Sequence, residues 1–231
     1  MPTQFEALNA IKQQGILPMF FNANASVSIQ IMHALYRSGM RVIEFTNRGA
    51  EALDVYKKLK AERDAHFPDM LIGVGTIKTV DDAHTFIDAG ADFIVAPGTI
   101  AEVGKVVVQA GLLWSPGCMT VTEIMVAEDN GSKLIKLFPG NLLSPSYIGS
   151  VKEIFPHVCF MPTGGVEPER DSIAAWFKAG AVAVGMGSKL VSKPLIDAER
   201  YDTIEERAKH VLEIIAHYRK TEAEKAHAVT H

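Results

Sequence analysis

The sequence predicts one α/β domain, a (β/α)8 (TIM) barrel with an extra N-terminal helix, and three observations carry that reading. First, a phrase recurs in which a glycine precedes a β-rich apolar run that stops at another glycine or proline: SGMRVIEFTNRG, AGADFIVAPG, QAGLLWSPG, NGSKLIKLFPG and AGAVAVGMG. Second, between the phrases lie stretches such as SVSIQIMHALYR, EALDVYKKL, VDDAHTFIDA and SIAAWFKA. Their apolar positions recur at three and four, the period of an amphipathic helix. Third, at 231 residues the chain is the size such a barrel occupies as one unit.

Taken in order, residues 3–14 read as the extra helix and GILPMFF (15–21) as the first strand. SGMRVIEFTNRG supplies the second, MLIGVG (70–75) the third, and the next three glycine-led phrases the fourth to sixth. VCFMPTGG (158–165) and AGAVAVGMG are the seventh and eighth. The leading glycines Gly39, Gly90, Gly111, Gly131 and Gly180 suit the left-handed position that follows a helix, where a Cβ is strained. Strands alternating with helices imply a parallel sheet. A doubly wound open sheet is the rival, but its G-x-G-x-x-G fingerprint is absent from GILPMFFNANAS. The barrel is expected over about residues 15–192, with a C-terminal helix and tail over 198–231. Within that tail, 220–231 (KTEAEKAHAVTH) reads as a polar helix end or frayed segment. No low-complexity linker divides the chain, so residues 1–231 are expected to form a single domain.

Hydrophobic residues make up 48% and charged residues 22%, enough apolar material for a sizeable core. A net charge of -4 and a pI near 6.1 give no global positive field, which argues against nucleic acid and anionic membrane as partners. The N-terminus MPTQFEALNAIKQQG lacks a basic stretch followed by an apolar run, and no segment approaches the roughly 18 apolar residues of a membrane span. A cytoplasmic protein is expected. Cys118 and Cys159 stand far apart, outside any CxxC pair, and are read as reduced, small hydrophobes. The histidines at 33, 66, 84, 157, 210, 217, 227 and 231 show no HxH or HExxH spacing, so no metal site is expected.

Three places carry candidate chemistry. In KLIKLFPG, Lys136 interrupts an apolar run where parallel-barrel strands normally hold Val, Ile and Leu. Removing an ammonium from water favours the neutral, nucleophilic amine that imine formation needs. The alternative is a lysine that snorkels to the barrel end or pairs with a carboxylate. In VIEFTNR, Glu44, Thr46 and Arg48 alternate with Ile43, Phe45 and Asn47 and share one face. A carboxylate there can move protons and a guanidinium can hold a substrate carboxylate. Equally, Glu44–Arg48 or Glu44–Lys136 could be a structural ion pair. PTGGV (162–166) and GMGSKL (185–190) end the seventh and eighth strands, where glycine loops commonly cradle phosphate. That makes Gly164, Gly165, Gly187 and Ser188 the phosphate candidates, although single glycines there also serve as plain turn formers.

Eight motifs in order, GILPMF, VIEFTNR, IGVGTI, IVAPG, SPGCMTVTE, IKLFPG, MPTGGV and GMGSKLV, make residues 10–192 resemble the 2-keto-3-deoxy-6-phosphogluconate and 4-hydroxy-2-oxoglutarate aldolases. The resemblance implies a homotrimer of barrels that needs no cofactor or metal and acts on a small phosphorylated keto acid, with Lys136 as Schiff-base residue. It further implies that Glu44 shuttles protons, that Arg48 and Thr76 hold the pyruvyl carboxylate, and that Pro97, Phe138 and Thr163 shape the pocket. Thr163 resembles members selective for the gluco epimer. The sequence departs from the family at Lys189, where an aromatic residue is common, and in a more charged tail after about residue 205. The implied activity is retro-aldol cleavage of 2-dehydro-3-deoxy-6-phosphogluconate to pyruvate and D-glyceraldehyde 3-phosphate. Alternatives are 4-hydroxy-2-oxoglutarate or the galactonate epimer as substrate, a phosphate-binding barrel isomerase or synthase using Lys136 only electrostatically, or a catalytically silent binding barrel.

Overall fold

In the computed structural model, which describes residues 1–229, the chain opens with helix α1 (Gln4–Gln14). A capping box starts it: Glu6 N–H donates to the Thr3 hydroxyl at 3.2 Å and Thr3 N–H to the Glu6 carboxylate at 2.8 Å. Nine parallel strands follow: β1 (Ile16–Phe20), β2 (Val42–Thr46), β3 (Leu71–Gly75), β4 (Phe93–Val95), β5 (Leu113–Ser115), β6 (Gly117–Cys118), β7 (Leu134–Leu137), β8 (Cys159–Pro162) and β9 (Val184–Met186). Between and after them run α2 (Ala25–Arg37), α3 (Ala52–His66), α4 (Val80–Asp88), α5 (Ala101–Gln109), α6 (Val121–Asp129), α7 (Pro145–Lys152), α8 (Arg170–Ala179), α9 (Lys193–Asp197) and α10 (Tyr201–Val229). All eight expected strands are present, and the five leading glycines adopt positive φ as the sequence requires.

The strands form a curled parallel α/β sheet. Six of them pair in the order β5-β4-β3-β2-β1-β9, a half-barrel, and three in the order β6-β7-β8. The eight-stranded ring expected from the sequence is thus interrupted in two places. Pro116 has no N–H to give a ladder and splits the fifth expected strand into β5 and β6. Between β8 and β9 a single bridge, Thr163–Gly185, and a bond from Val182 N–H to the Phe160 carbonyl at 3.0 Å stand where a ladder would run.

Burial on both faces explains the nearly continuous apolar strands. Ile43, Phe45, Ile72, Val74, Trp114, Ile135, Leu137 and Phe160 pack outward in the core shared with the helices. Leu17, Val42, Phe93, Leu113, Leu134 and Met161 pack on the concave side, where Ala7 and Ile11 of α1 join them. Helix α1 therefore floors the curl at the N-terminal ends of the strands. There the Gln14 amide donates to the carbonyls of Ile16 and Val42, both at 2.7 Å, satisfying backbone that would otherwise be buried unpaired.

Helix α10 packs on α2, α8 and α9. Its Arg219 guanidinium donates to the carbonyls of Lys12 and Gln13, at the negative C-terminal end of α1. Residues 220–229 continue this helix rather than fray, while Thr230 and His231 of the expected tail lie outside the described residues. Among the described residues no helix is long and apolar enough to cross a membrane.

Candidate active site

Side-chain alternation decides what points inward. Ile43 and Phe45 face the helices, so Glu44 faces the concave side of β2; by the same logic Lys136 faces it between Ile135 and Leu137 on β7. Glu44 is 0% exposed and Lys136 5%. Among the described residues neither Glu44 oxygen has a hydrogen-bond partner. Its carboxyl fills the space left by the missing side chain of Gly75, where a Cβ would stand 1.7 Å from Glu44 Oε1. Burial raises the Glu44 pKa, partly opposed by the charges of Lys136 and Arg48. Among the described residues Glu44 forms an ion pair with neither of them, so both structural pairings considered from the sequence are unformed. The Lys136 amine instead lies 5.2 Å from the centre of the Phe138 ring, within cation–π range.

A cavity of about 500 Å³ opens at the C-terminal ends of the strands. It gathers seven residues drawn from four separated stretches of sequence: Thr46, Arg48, Phe138, Thr163, Gly164, Gly187 and Ser188. Arg48 is exposed and, among the described residues, has no carboxylate partner. Gly164 holds φ 84°, a conformation that turns the loop after β8 toward the cavity at a cost only glycine avoids. Thr163 is seated against Gly185, whose Cβ would meet the Thr163 hydroxyl at 2.2 Å. Lys189, at the position where the family commonly has an aromatic residue, pairs with Glu167 at 2.8 Å, and Lys193 on the cavity wall pairs with Asp197.

Not every expected residue lines this cavity. Glu44 and Lys136 are buried on the inner strand faces, off its lining, and Thr76, Pro97 and Gly165 lie outside it. Thr76 nonetheless carries a mark of constraint: it is a non-glycine residue at φ 65°, immediately after the Gly75 that accommodates Glu44.

Two residues were missed from sequence. Ser115 is 0% exposed, faces inward because Trp114 faces out, and among the described residues its hydroxyl has no partner. A serine before Pro-Gly reads as turn chemistry, which hid it. Asn22, in the loop after β1, lines the cavity. Among the described residues no three His, Cys, Asp or Glu side chains are grouped to share a metal. Both cysteines are free, and burial pushes the Cys118 thiol up to about 12, the range of an inert core residue.

Fold and site together define a parallel α/β protein with a buried amine and a buried carboxyl beneath a cavity that offers a free guanidinium and glycine turns. The chain belongs to the KDPG and KHG aldolase family, whose family model matches residues 8–207. It is 28% identical over 207 residues to a 2-dehydro-3-deoxy-phosphogluconate aldolase of Pseudoalteromonas atlantica, covering 88% of this chain and 93% of that one. It is 34% identical over 128 residues to a 2-dehydro-3-deoxy-6-phosphogalactonate aldolase of Escherichia coli, covering 55% of this chain and 62% of that one. A KDPG aldolase from Legionella pneumophila, solved with pyruvate captured as a covalent carbinolamine, superposes with a TM-score of 0.80 at 25% identity over 89% of this chain and 97% of that one.

Proposed function

We propose that the chain is a class I aldolase that cleaves 2-dehydro-3-deoxy-6-phosphogluconate to pyruvate and D-glyceraldehyde 3-phosphate through an imine on Lys136. The observation that carries this reading is Lys136 itself: a buried lysine that among the described residues has no carboxylate pair, on an inner strand face, beside a cavity lined by an arginine likewise without one. A lysine kept for stability would be expected to pair.

The Lys136 amine attacks the C2 ketone, and loss of water leaves a protonated imine. Removal of the C4 hydroxyl proton breaks the C3–C4 bond, and the electron pair passes into the imine to give an enamine as the aldehyde departs. Protonation at C3 and hydrolysis release pyruvate and regenerate the amine. Glu44 is the proton carrier, its pKa raised by burial. Arg48 and Thr76 hold the pyruvyl carboxylate. Phe138, Pro97 and Thr163 shape the pocket. Gly164, Gly165, Gly187 and Ser188 form the phosphate cradle, consistent with backbone N–H groups of Gly164, Gly165 and Ser188 that donate to no other backbone group among the described residues.

We also read the two sheets as arcs of one closed (β/α)8 barrel in a single domain over residues 1–231. Supporting this are the Thr163–Gly185 bridge and the Lys136 N–H to Pro116 carbonyl bond at 2.9 Å, which continue the strand order across both breaks. A homotrimer is what the family resemblance implies, and a cytoplasmic location is the reading of the sequence. The exposed apolar side chains of Met119, Val121, Met125 and Val126 suit such self-association.

Incubation with pyruvate and borohydride tests the mechanism, because reduction fixes an imine that otherwise hydrolyses. One stable mass increase mapped to Lys136 is expected. An adduct on another lysine, or none on active enzyme, refutes it.

A further inference from the structure

Asn22 follows β1, and β1 pairs with β9 on one side and β2 on the other. The residue therefore stands between the Gly187–Ser188 turn after β9 and Arg48 after β2, and all four line the same cavity. Contact with the β9 turn is close: a Cβ on Gly187 would lie 3.3 Å from the Met19 side chain, three residues before Asn22.

The Asn22 carboxamide is half committed. Its Oδ1 accepts the N–H of Asn24 at 2.8 Å. Only the oxygen can accept, so this bond fixes which end of the amide is which. The loop is further held by the Ser28 hydroxyl, which donates to the Asn22 carbonyl at 3.0 Å. Asn24 in turn caps α2, its side chain accepting from Ser26 N–H at 2.9 Å. What remains is the Nδ2 amine, which among the described residues donates to nothing. A half-buried side chain locked through its acceptor thus presents a donor-only end at the cavity, suited to an acceptor oxygen and unsuited to a donor.

We infer that Asn22 is a specificity-determining residue whose Nδ2 donates to an oxygen of the substrate's distal phosphate. This rests on the aldolase reading above. The keto-acid half is held by Lys136 on β7 and Arg48 after β2, whereas the Gly187–Ser188 turn of the proposed phosphate cradle flanks Asn22 on its other side, which puts the phosphate end of the substrate within reach of Nδ2. An ionised oxygen is the acceptor an amide donor in a partly buried site holds best, since charge-assisted bonds are the stronger ones.

The test compares steady-state cleavage of 2-dehydro-3-deoxy-6-phosphogluconate and of its unphosphorylated counterpart by wild type, Asn22→Ser and Asn22→Asp. Both substitutions keep an oxygen to accept the Asn24 N–H, so the loop keeps its turn. Serine removes the amide donor without adding charge, and KM for the phosphorylated substrate should rise about 10-fold, with kcat changed far less, the worth of one hydrogen bond to a charged group. Aspartate adds repulsion, and KM should rise further, to about 100-fold. The unphosphorylated substrate should show much smaller KM changes in the serine variant. A serine variant with KM within about two-fold of wild type overturns the inference, even if aspartate raises it, because added charge alone would then explain the effect. So does an equal KM rise for both substrates. Borohydride trapping of pyruvate on the wild-type protein is the separate check of the aldolase reading.

Discussion

Replacing Gly75 with alanine puts one methyl group where Glu44 now lies. The added Cβ would stand 1.7 Å from Oε1, 2.5 Å from Cδ and 2.9 Å from Cγ of that side chain. Carbon and oxygen need more than 3 Å, so the carboxyl must swing away by over about 1 Å. Among the described residues nothing hydrogen-bonds the Glu44 carboxyl in place, so it, rather than the strand backbone, should yield. Two magnitudes follow. Overpacking a buried site costs about 1–3 kcal/mol, so the variant should fold with a lowered melting temperature. Displacing an acid–base group by about 1 Å costs about 10²-fold in rate. The assay is single-turnover pyruvate release beside borohydride trapping on folded Gly75→Ala protein. Cleavage should fall about 100-fold while an adduct on Lys136 still forms. Cleavage within a few-fold of wild type, at a melting temperature that shows the methyl is tolerated, would refute both the carboxyl's role and the claim that Gly75 makes its room.

Glu44→Gln should slow cleavage by about 10²–10⁴-fold and leave imine formation in place. It should also change the pH dependence of stability. Folding raises the Glu44 pKa above its ordinary 4.5, so the folded chain holds that proton to higher pH than the unfolded chain does. The associated stability is complete below the unfolded value and is lost as pH climbs through the folded value. Glutamine has nothing to lose, so the variant's stability relative to wild type should increase from acid toward neutral pH in denaturant melts; a constant difference would contradict the assignment. Ser115→Ala removes a hydroxyl that bonds to nothing among the described residues, so its melting temperature should match or exceed that of wild type. A loss of about 1 kcal/mol or more would mean that the hydroxyl has a structural partner.

Much of this was legible in the sequence because period-two and period-3.6 patterns are written residue by residue. The strand VIEFTNR announces Glu44, Thr46 and Arg48 on one face, and the structure puts Glu44 on the inner wall with Thr46 and Arg48 at the cavity. Lys136 stood out since a charge inside an apolar strand is costly unless used. Other features depend on what lies opposite, which pattern cannot tell. Gly75 looks like one more strand-end glycine until Glu44 is seen to occupy the space beside it. Asn22 is one polar residue of FNANAS, and only the bond between its Oδ1 and Asn24 shows which end of the amide is free. The break at Pro116 was visible as a proline, yet read as a strand terminus, because the resumption at Gly117 depends on its pairing with Lys136.

Helix α1 and the Arg219 contacts that pin it close one end of the sheet, and every cavity-lining loop lies at the other. Traffic is therefore one-sided: substrate enters and both products leave past the same loops. In the proposed mechanism the three-carbon fragment stays bonded to Lys136 until the imine is hydrolysed, so the aldehyde clears first and pyruvate is released last. The closed end, by contrast, is held by α1 and Arg219, on the face that chemistry does not use.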